Sequence, residues 1–336
     1  MSTERAAWHA KVVEAAIDPD RPICDPHHHL WRHPTDPYLL ENLRADTGAG
    51  HNVVRTVFLE CMAEWRKDGP EHLRPVGETE FVAEIAEASA DGKGAEIEGI
   101  MSYADLLLGD AVEEVLAAHE AAGRGRFRGI RYVTSWHDDP KLSMGHTNPP
   151  PGVMDDERYR AGVRKLGSLG YTYDVMVYHP QLSKLAEVAR ACPETTIVCN
   201  HLGAPLGVGP YRDRRAEALA EWRPGMSELA GCPNVVLKVG GIGMPMYGIR
   251  WDRQETPPTS EELAAPWRDE IRFAIDAFGP ARCMFESNFP VDGRGAGYVV
   301  LWNAFKRIAE GYSEAEKTDL FHDCAARAYK LTTIGG

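Results

Sequence analysis

The sequence predicts a (β/α)8 barrel, and three observations predict it. Eight short β-branched or apolar runs recur along 336 residues, amphipathic stretches fall between them, and the first run ends in histidines. Strands alternating with helices imply a parallel sheet. Eight such units in one chain imply closure into a barrel. The competing fold is an open doubly wound sheet. It wants a glycine-rich phosphate turn after the first strand, and His27-His28-His29-Leu30-Trp31 is nothing like one.

In chain order, the expected strands are residues 22–29, 55–60, 98–103, 127–133, 172–179, 195–200, 234–239 and 282–287. Helical stretches follow the second to eighth strands at 81–89, 111–122, 158–169, 181–191, 215–230, 261–278 and 298–309. In the fourth of these, Leu182, Leu185, Val188 and Ala189 share one face. Ser313-Glu314-Ala315-Glu316 reads as a capping box. It opens an extra C-terminal helix carrying Leu320, Phe321, Cys324, Ala325 and Ala328 at helical spacing, expected to pack across the barrel exterior. Residues 1–20 read as an N-terminal extension and 21–336 as a single domain.

Composition narrows the partners. A hydrophobic fraction of 43% is ample for a large core, and the formal net charge is -13 with no basic run. Nucleic acid and an anionic membrane are therefore poor partners, and a small-molecule substrate is the expected one. Nothing approaches the ~20 apolar residues of a spanning helix. Residues 1–20 mix charges without an apolar core, so no secretory signal is expected. The seven cysteines are scattered with no C-x-x-C, which suits a reducing, cytoplasmic setting. A homo-oligomer is compatible with all of this.

Two long proline-rich connections, 137–157 and 243–258, follow strands and so belong to the face where barrel active sites are built. The second carries Met244, Met246, Tyr247, Ile249 and Trp251. A solvated loop rarely holds so many large apolar groups, so Tyr247 and Trp251 are expected to cover the substrate.

The strand ends carry the chemistry. On a strand, His27 and His29 point to one face, about 7 Å apart along the chain, and His28 points away. Two such imidazoles can reach one metal ion. Asp25 is expected on the same face, one layer deeper. His179 ends the fifth strand, His201 follows the sixth, and the eighth runs into Glu286-Ser287-Asn288-Phe289-Pro290-Val291-Asp292. A lone histidine is usually structural; four at the ends of three strands point to a site. Arg131 is expected to point into the barrel mouth as a fork for a substrate carboxylate. Its competing role is an ion pair with Glu60 or Glu286. Glu286 can equally be a buried partner of Arg131 or Lys238.

Asp25-x-His27-x-His29 on strand one, His201-Leu202-Gly203 after strand six and Ser287-Asn288-Phe289-Pro290 after strand eight resemble the amidohydrolase superfamily. More narrowly they resemble its amidohydrolase-related branch, which holds lactonases of 2-pyrone-4,6-dicarboxylate and of L-fuconolactone together with aminocarboxymuconate-semialdehyde-type decarboxylases. Phe127-Arg128-Gly129-Ile130-Arg131 and the tail 320–331 match its lactonase side. The resemblance implies a metal-dependent-hydrolase barrel with His27, His29 and His179 as ligands of one divalent metal, zinc first. The same branch also includes lactonases that keep the histidines and work without metal. His201 is implied as the group that polarises the scissile bond or shuttles a proton, and Arg128 joins Arg131 as a substrate contact. The family usually ends strand eight in Ser-Asp or Thr-Asp, where the aspartate takes a proton from water. Asn288 stands there instead, and an amide cannot be that base. Glu286, Asp292 and His201 are the substitutes.

Hydrolysis of a small lactone or cyclic ester, carrying a carboxylate, is the expected activity. Non-oxidative decarboxylation of an unsaturated or aromatic acid is the alternative, and a ligand-binding barrel without activity is the third reading.

Overall fold

The computed structural model describes residues 3–142 and 149–332. Eight strands form one parallel sheet in sequence order: β1 Ile23–His28, β2 Val53–Leu59, β3 Glu96–Ser102, β4 Phe127–Val133, β5 Thr172–Met176, β6 Ile197–Cys199, β7 Val235–Lys238 and β8 Cys283–Met284. A parallel bridge between His28 and Phe289, with His29 N–H donating to Phe289 O at 2.9 Å, brings the last strand back to the first. The predicted barrel is therefore the observed fold, and every predicted strand is present. The last four are shorter than predicted, because their C-terminal residues leave the ladder to build turns.

Outward side chains such as Phe58, Ile100, Ile130, Tyr173 and Leu237 pack under the helices in one large buried core. Most predicted helices appear within a residue or two, including Val112–Ala122, Glu157–Ser168, Arg215–Ala230 and Tyr298–Ile308. The predicted helix 261–278 is two, Ser260–Ala264 and Arg268–Phe278, with Pro266 in the break. Ala265 before it is still helical at φ -52, but proline has no N–H to carry the helical hydrogen bonding onward. Of the connection 137–157, residues 143–148 lie outside the described residues.

The C-terminal segment corrects one expectation. Its capping box is present, with Ser313 Oγ accepting from Glu316 N–H. Yet Cys324, Ala325, Ala328, Tyr329 and Leu331 do not lie across the exterior. They pack against Cys24, Val57, Leu59, Met101, Val198 and Met284, the inward residues of the strands. Thr172 Oγ1 donates to Ala328 O at 2.6 Å and Tyr329 OH donates to Asp174 Oδ2 at 2.7 Å. The segment plugs the N-terminal end of the barrel. Small residues at 325 and 328 allow the close approach, and the plug closes the floor beneath the catalytic end.

The N-terminal residues strap the opposite end. Trp8 Nε1 donates to Gln254 O at 3.0 Å, Lys11 Nζ donates to Glu255 O at 2.8 Å, and Glu14 Oε1 accepts from Ser260 N–H at 2.7 Å. All seven cysteines are unpaired. Among the described residues, no helix is long and apolar enough to cross a membrane.

Candidate active site

At the C-terminal mouth lies a cavity of about 290 Å³ lined by His29, Arg131, His201, Met244 and Asn288, with Trp31, Cys61, Met176 and Val291. Four residues singled out from the sequence thus share one wall. His27 and Glu286 lie directly beneath them, fully buried.

Strand β1 delivers the histidines by a device the alternation rule does not contain. Its pairing with β2 shifts register between Asp25 and His28, around Pro26. Cys24 faces the barrel floor, yet His27 and His29 also face inward. Asp25 is consequently not one layer beneath His27. Its Oδ1 accepts from Ser287 N–H at 2.9 Å and its Oδ2 from Tyr298 OH at 2.9 Å, so it ties β1 to the β8 turn and the outer helix. His28 does point away, with Nε2 3.0 Å from Thr56 Oγ1.

His29 Nδ1 lies 2.9 Å from Leu59 O. A carbonyl can only accept, so Nδ1 carries the proton and Nε2 the lone pair. Burial first, then the nearby Arg131 guanidinium, holds the His29 pKa well below its usual value. His27 is shifted the same way by burial and then by Lys238. Both rings are neutral at physiological pH. Their centroids lie 5.0 Å apart.

Glu286 organises the pair beneath the cavity. Its Oε1 is 2.6 Å from His201 Nδ1, and its Oε2 lies 2.7 Å from His27 Nδ1 without meeting a hydrogen-bond partner. Gly240 and Gly241 make room for this contact. A Cβ at Gly240 would come within 2.4 Å of Glu286 Cγ, and one at Gly241 within 2.8 Å of His201 Nδ1. His201 itself has a left-handed backbone at φ 52, as does Leu202 at φ 57. Strained backbone of this kind persists only where its surroundings impose it. Here Tyr247 OH donates to His201 O at 2.9 Å and helps hold the turn.

Below, Lys238 Nζ donates to Asp174 Oδ1 at 2.9 Å and lies 3.4 Å from His27 Nδ1. Both partners are fully buried. Asp174 also accepts from Asn200 Nδ2 and Tyr329 OH. The sequence reading named Lys238 only as a candidate partner of Glu286 and did not name Asp174. The available signal was a charged residue inside each otherwise apolar buried strand.

Arg131 enters the cavity wall as expected, but its ion-pair role is realised too. Nε donates to Glu60 Oε1 at 2.7 Å and Nη2 donates to Glu60 O. Asn288 adopts φ 51, a left-handed backbone that asparagine tolerates better than most residues. Its Nδ2 donates to Asp292 Oδ1 at 2.8 Å, and Gly243 N–H donates to Asp292 Oδ2 at 3.0 Å. Asp292 therefore stands behind Asn288, away from the cavity wall.

Three expectations need correction. His179 is not brought to His27 and His29. β5 ends at Met176, so His179 sits in the following turn, where Leu206 N–H donates to its Nδ1 at 3.2 Å and Nε2 lies 3.5 Å from Glu221. Tyr211 packs on its ring at 4.6 Å. Arg128 lies at the second residue of β4, at the opposite end from the cavity. Its Nη1 donates to Gly125 O and Phe127 O. Tyr247 and Trp251 are buried within the 243–258 loop itself, Tyr247 edge-on to Trp267 at 4.9 Å, so they brace the wall rather than face the cavity.

The donor chemistry suits a divalent cation. Among the described residues, ligating atoms of His27, His201 and Glu286 lie within 4.8 Å of one another, all buried. His27 Nε2 and Glu286 Oε2 are buried polar atoms without a hydrogen-bond partner. Such atoms are costly unless something satisfies them. Imidazole and carboxylate are ordinary zinc ligands.

A parallel eight-stranded barrel with histidines and a buried carboxylate at its C-terminal mouth defines a hydrolase-type (β/α)8 protein. The model of the amidohydrolase family matches residues 24–331, and the chain belongs to that family. It is 33% identical over 334 residues to the uncharacterized protein y4mH of Sinorhizobium fredii, covering 93% of this chain and 99% of that one. It is 28% identical over 322 residues to an L-fucono-1,5-lactonase of Burkholderia multivorans, covering 91% and 95%. A crystal structure of a Burkholderia multivorans amidohydrolase with bound zinc superposes with a TM-score of 0.71 at 26% identity, covering 92% of this chain and 99% of that one.

Proposed function

We infer that this enzyme hydrolyses a small lactone, with His201 as the proton-transfer group. One observation carries the reading: His201 lines the cavity while its Nδ1 is held 2.6 Å from the buried carboxylate of Glu286. A carboxylate at Nδ1 fixes the tautomer that leaves the Nε2 lone pair free, the orienting role played by the acid of a catalytic triad. Nε2 can then accept a proton from water as it attacks the lactone carbonyl. The same nitrogen returns the proton to the alkoxide released when the ring opens. Asn288 is not asked to act as a base.

The cavity polar groups account for the rest. Arg131 lies where a guanidinium can hold a carboxylate on the substrate or the carbonyl oxygen as it gains charge. The apolar surfaces of Trp31, Met176 and Met244 keep water from the substrate's other face. His27 and Glu286 would hold a divalent metal, zinc first, which would supply Lewis-acid polarisation of the carbonyl. Kinship supports lactone hydrolysis: curated relatives of this chain are an L-fucono-1,5-lactonase and an L-rhamnono-gamma-lactonase.

A panel of aldonolactones and pyrone carboxylates, followed by acid release at constant pH, tests the activity. Carbon dioxide release without acid release would establish decarboxylation instead. Elemental analysis before and after chelation tests the metal: stoichiometric zinc whose removal abolishes turnover is expected. Full activity in metal-free protein would overturn the metal and leave the His201 mechanism standing.

A further inference from the structure

A second cavity, of about 350 Å³, opens on the same face of the barrel between the loops after β6 and β7. Its walls include Gly207, Tyr211, Arg212, Arg215, Arg250 and Arg253. Four guanidinium groups around one hollow are unexpected in a chain of net charge -13. The lining contains a single carboxylate, Asp213.

The four arginines are not equivalent. Arg250 is fully engaged by Asp252, with Nε to Oδ1 at 2.8 Å and Nη2 to Oδ2 at 2.7 Å. Arg215 is held in place and only loosely paired. Its Nη2 donates to Pro266 O at 2.6 Å and its guanidinium stacks over Trp267 at 4.4 Å, with the nearest carboxylate, on Glu270, 4.0 Å away. Arg212 and Arg253 are exposed. Among the described residues neither side chain makes a hydrogen bond or close ion pair, and Arg253 shares the field of Asp252 with Arg250. Surface arginines of this chain are usually paired: Arg214, two residues from Arg212, grips Glu217. Four guanidinium groups meet three carboxylates here, Asp213 in the lining, Asp252 on Arg250 and Glu270 4.0 Å from Arg215, so the concave site keeps a net positive charge.

The hollow is preformed. Gly207 N–H donates to Met246 O at 2.9 Å, joining the two loops. A Cβ at Gly207 would lie 2.0 Å from Tyr247 O, and one at Gly248 would lie 2.4 Å from Gly207 O. Only glycine at both positions lets the loops meet so closely. Gly248 also sits at φ 80, a backbone that side chains disfavour. A rigid hollow loses little entropy when a ligand enters.

We propose that this hollow is a second ligand site, separate from the histidine cavity, which binds a small polyvalent oxyanion through Arg212, Arg253 and Arg215. Guanidinium groups match carboxylate and phosphate oxygens with paired N–H donors. Three of them converging from two loops select a ligand with more than one negative charge. Tyr247 forms part of this hollow while its OH holds His201 O, so one side chain joins the two sites.

Isothermal titration calorimetry of the full chain at low ionic strength tests the proposal, with citrate and inorganic phosphate as probes and glycerol as the neutral control. Saturable citrate or phosphate binding is expected, weakened by added salt and at least tenfold weaker in Arg212→Gln/Arg253→Gln. The relative strength of the two probes separates a polycarboxylate site from a phosphate site. Arg131→Met/Glu60→Leu, which removes both members of the buried pair, controls for binding in the histidine cavity and is expected to leave this affinity unchanged. Absence of binding to the wild-type chain overturns the proposal. So does binding that survives Arg212→Gln/Arg253→Gln or disappears in folded Arg131→Met/Glu60→Leu.

Discussion

Asn288 Nδ2 donates to Asp292 Oδ1 at 2.8 Å, and this contact explains how an amide is accommodated at the end of strand eight. The family's acid position is one half of a polar pair whose other half is a buried carboxyl. Replacing the amide by a second carboxylate sets two acids against each other. One must take a proton or repel the other. Asn288→Asp is therefore expected to destabilise the protein by about 1–3 kcal/mol, the usual range for a buried acceptor left without its donor. The loss should be larger at pH 8 than at pH 5, as read by denaturant unfolding at each pH. An equally stable variant at pH 8 would mean that a cation already sits against Asp292.

Asp292 also makes a prediction of its own. Burial is the main cause that pushes its pKa from 3.8 up to about 8, against the pull of hydrogen bonds from Gly243 and Asn288. The folded chain thus keeps a proton that the unfolded chain gives up near 3.8. The contribution to stability is complete below the unfolded pKa and is lost as pH rises towards about 8. Asp292→Asn cannot ionise, so its melting temperature relative to wild type should climb steadily from pH 5 to pH 8. A constant difference across that range would show that Asp292 does not titrate there.

The barrel was legible because periodicity reports burial. Alternating runs and amphipathic stretches located all eight strands, and β4 at Phe127–Val133 matched to the residue. The grouping of side chains was legible where it depends on strand ends: His27, His29, Arg131, His201 and Glu286 do come together. Alternation fails where the backbone leaves regular geometry. The shift at Asp25 and Pro26 turned the predicted deep aspartate outward, and the early end of β5 left His179 in a turn. Choices among partners were also beyond the sequence. Arg131 faced Glu60 or Glu286 equally well on paper, and only the three-dimensional arrangement gives it Glu60. The plug formed by Cys324 to Leu331 was misplaced for a related reason. A helical stripe shows that one face is buried, not what buries it.

That Arg131–Glu60 pair changes the outcome of a simple substitution. Both side chains are almost fully buried, at 5% and 0% exposure. Glu78, raised by burial and by the neighbouring Glu60, is a second carboxyl close by. Arg131→Met removes the compensating charge and should cost about 3–5 kcal/mol of stability, the range for breaking a buried pair. Arg131→Met/Glu60→Leu removes both charges and should recover most of that loss. Because the arginine also lines the cavity, KM for an anionic lactone should stay raised in the double variant. If KM returns to the wild-type value along with stability, the arginine serves only the fold.

The N-terminal strap bears on the 243–258 loop. Trp8, Lys11 and Glu14 reach Gln254, Glu255 and Ser260. Deleting residues 1–15 removes those ties, together with the Glu14 and Ala15 oxygens that accept from the buried Asn303 Nδ2. Protease cleavage within 250–258 should accelerate, with KM rising as the loop that carries Met244 loosens. An unchanged cleavage pattern would make the strap incidental to the loop.

The sharpest test concerns His201 and Glu286, because they are proposed to act as one unit. Glu286 does not line the cavity, so it cannot be expected to touch substrate. Its effect must pass through the imidazole it holds or through the metal it would help to bind, and metal content measured on the variant separates the two. His201→Asn should lower kcat at least ~100-fold, the low end for a lost general acid or base. Glu286→Gln keeps the shape but offers an amide where a carboxylate had fixed the tautomer. It should lower kcat substantially while leaving KM near its wild-type value. The double variant should be little worse than His201→Asn alone, since residues that act as a unit are grossly non-additive. Lys238 supplies a further distinction. It lies 3.4 Å from His27 and is paired with Asp174, so Lys238→Met disturbs the floor and not His201 directly. A loss of stability with kcat largely retained is expected there. If Glu286→Gln proves silent in kcat while the folded protein is intact, the imidazole does not depend on that carboxylate. The proton would then have to move through His27 or His29, and the mechanism would need to be rebuilt around strand one.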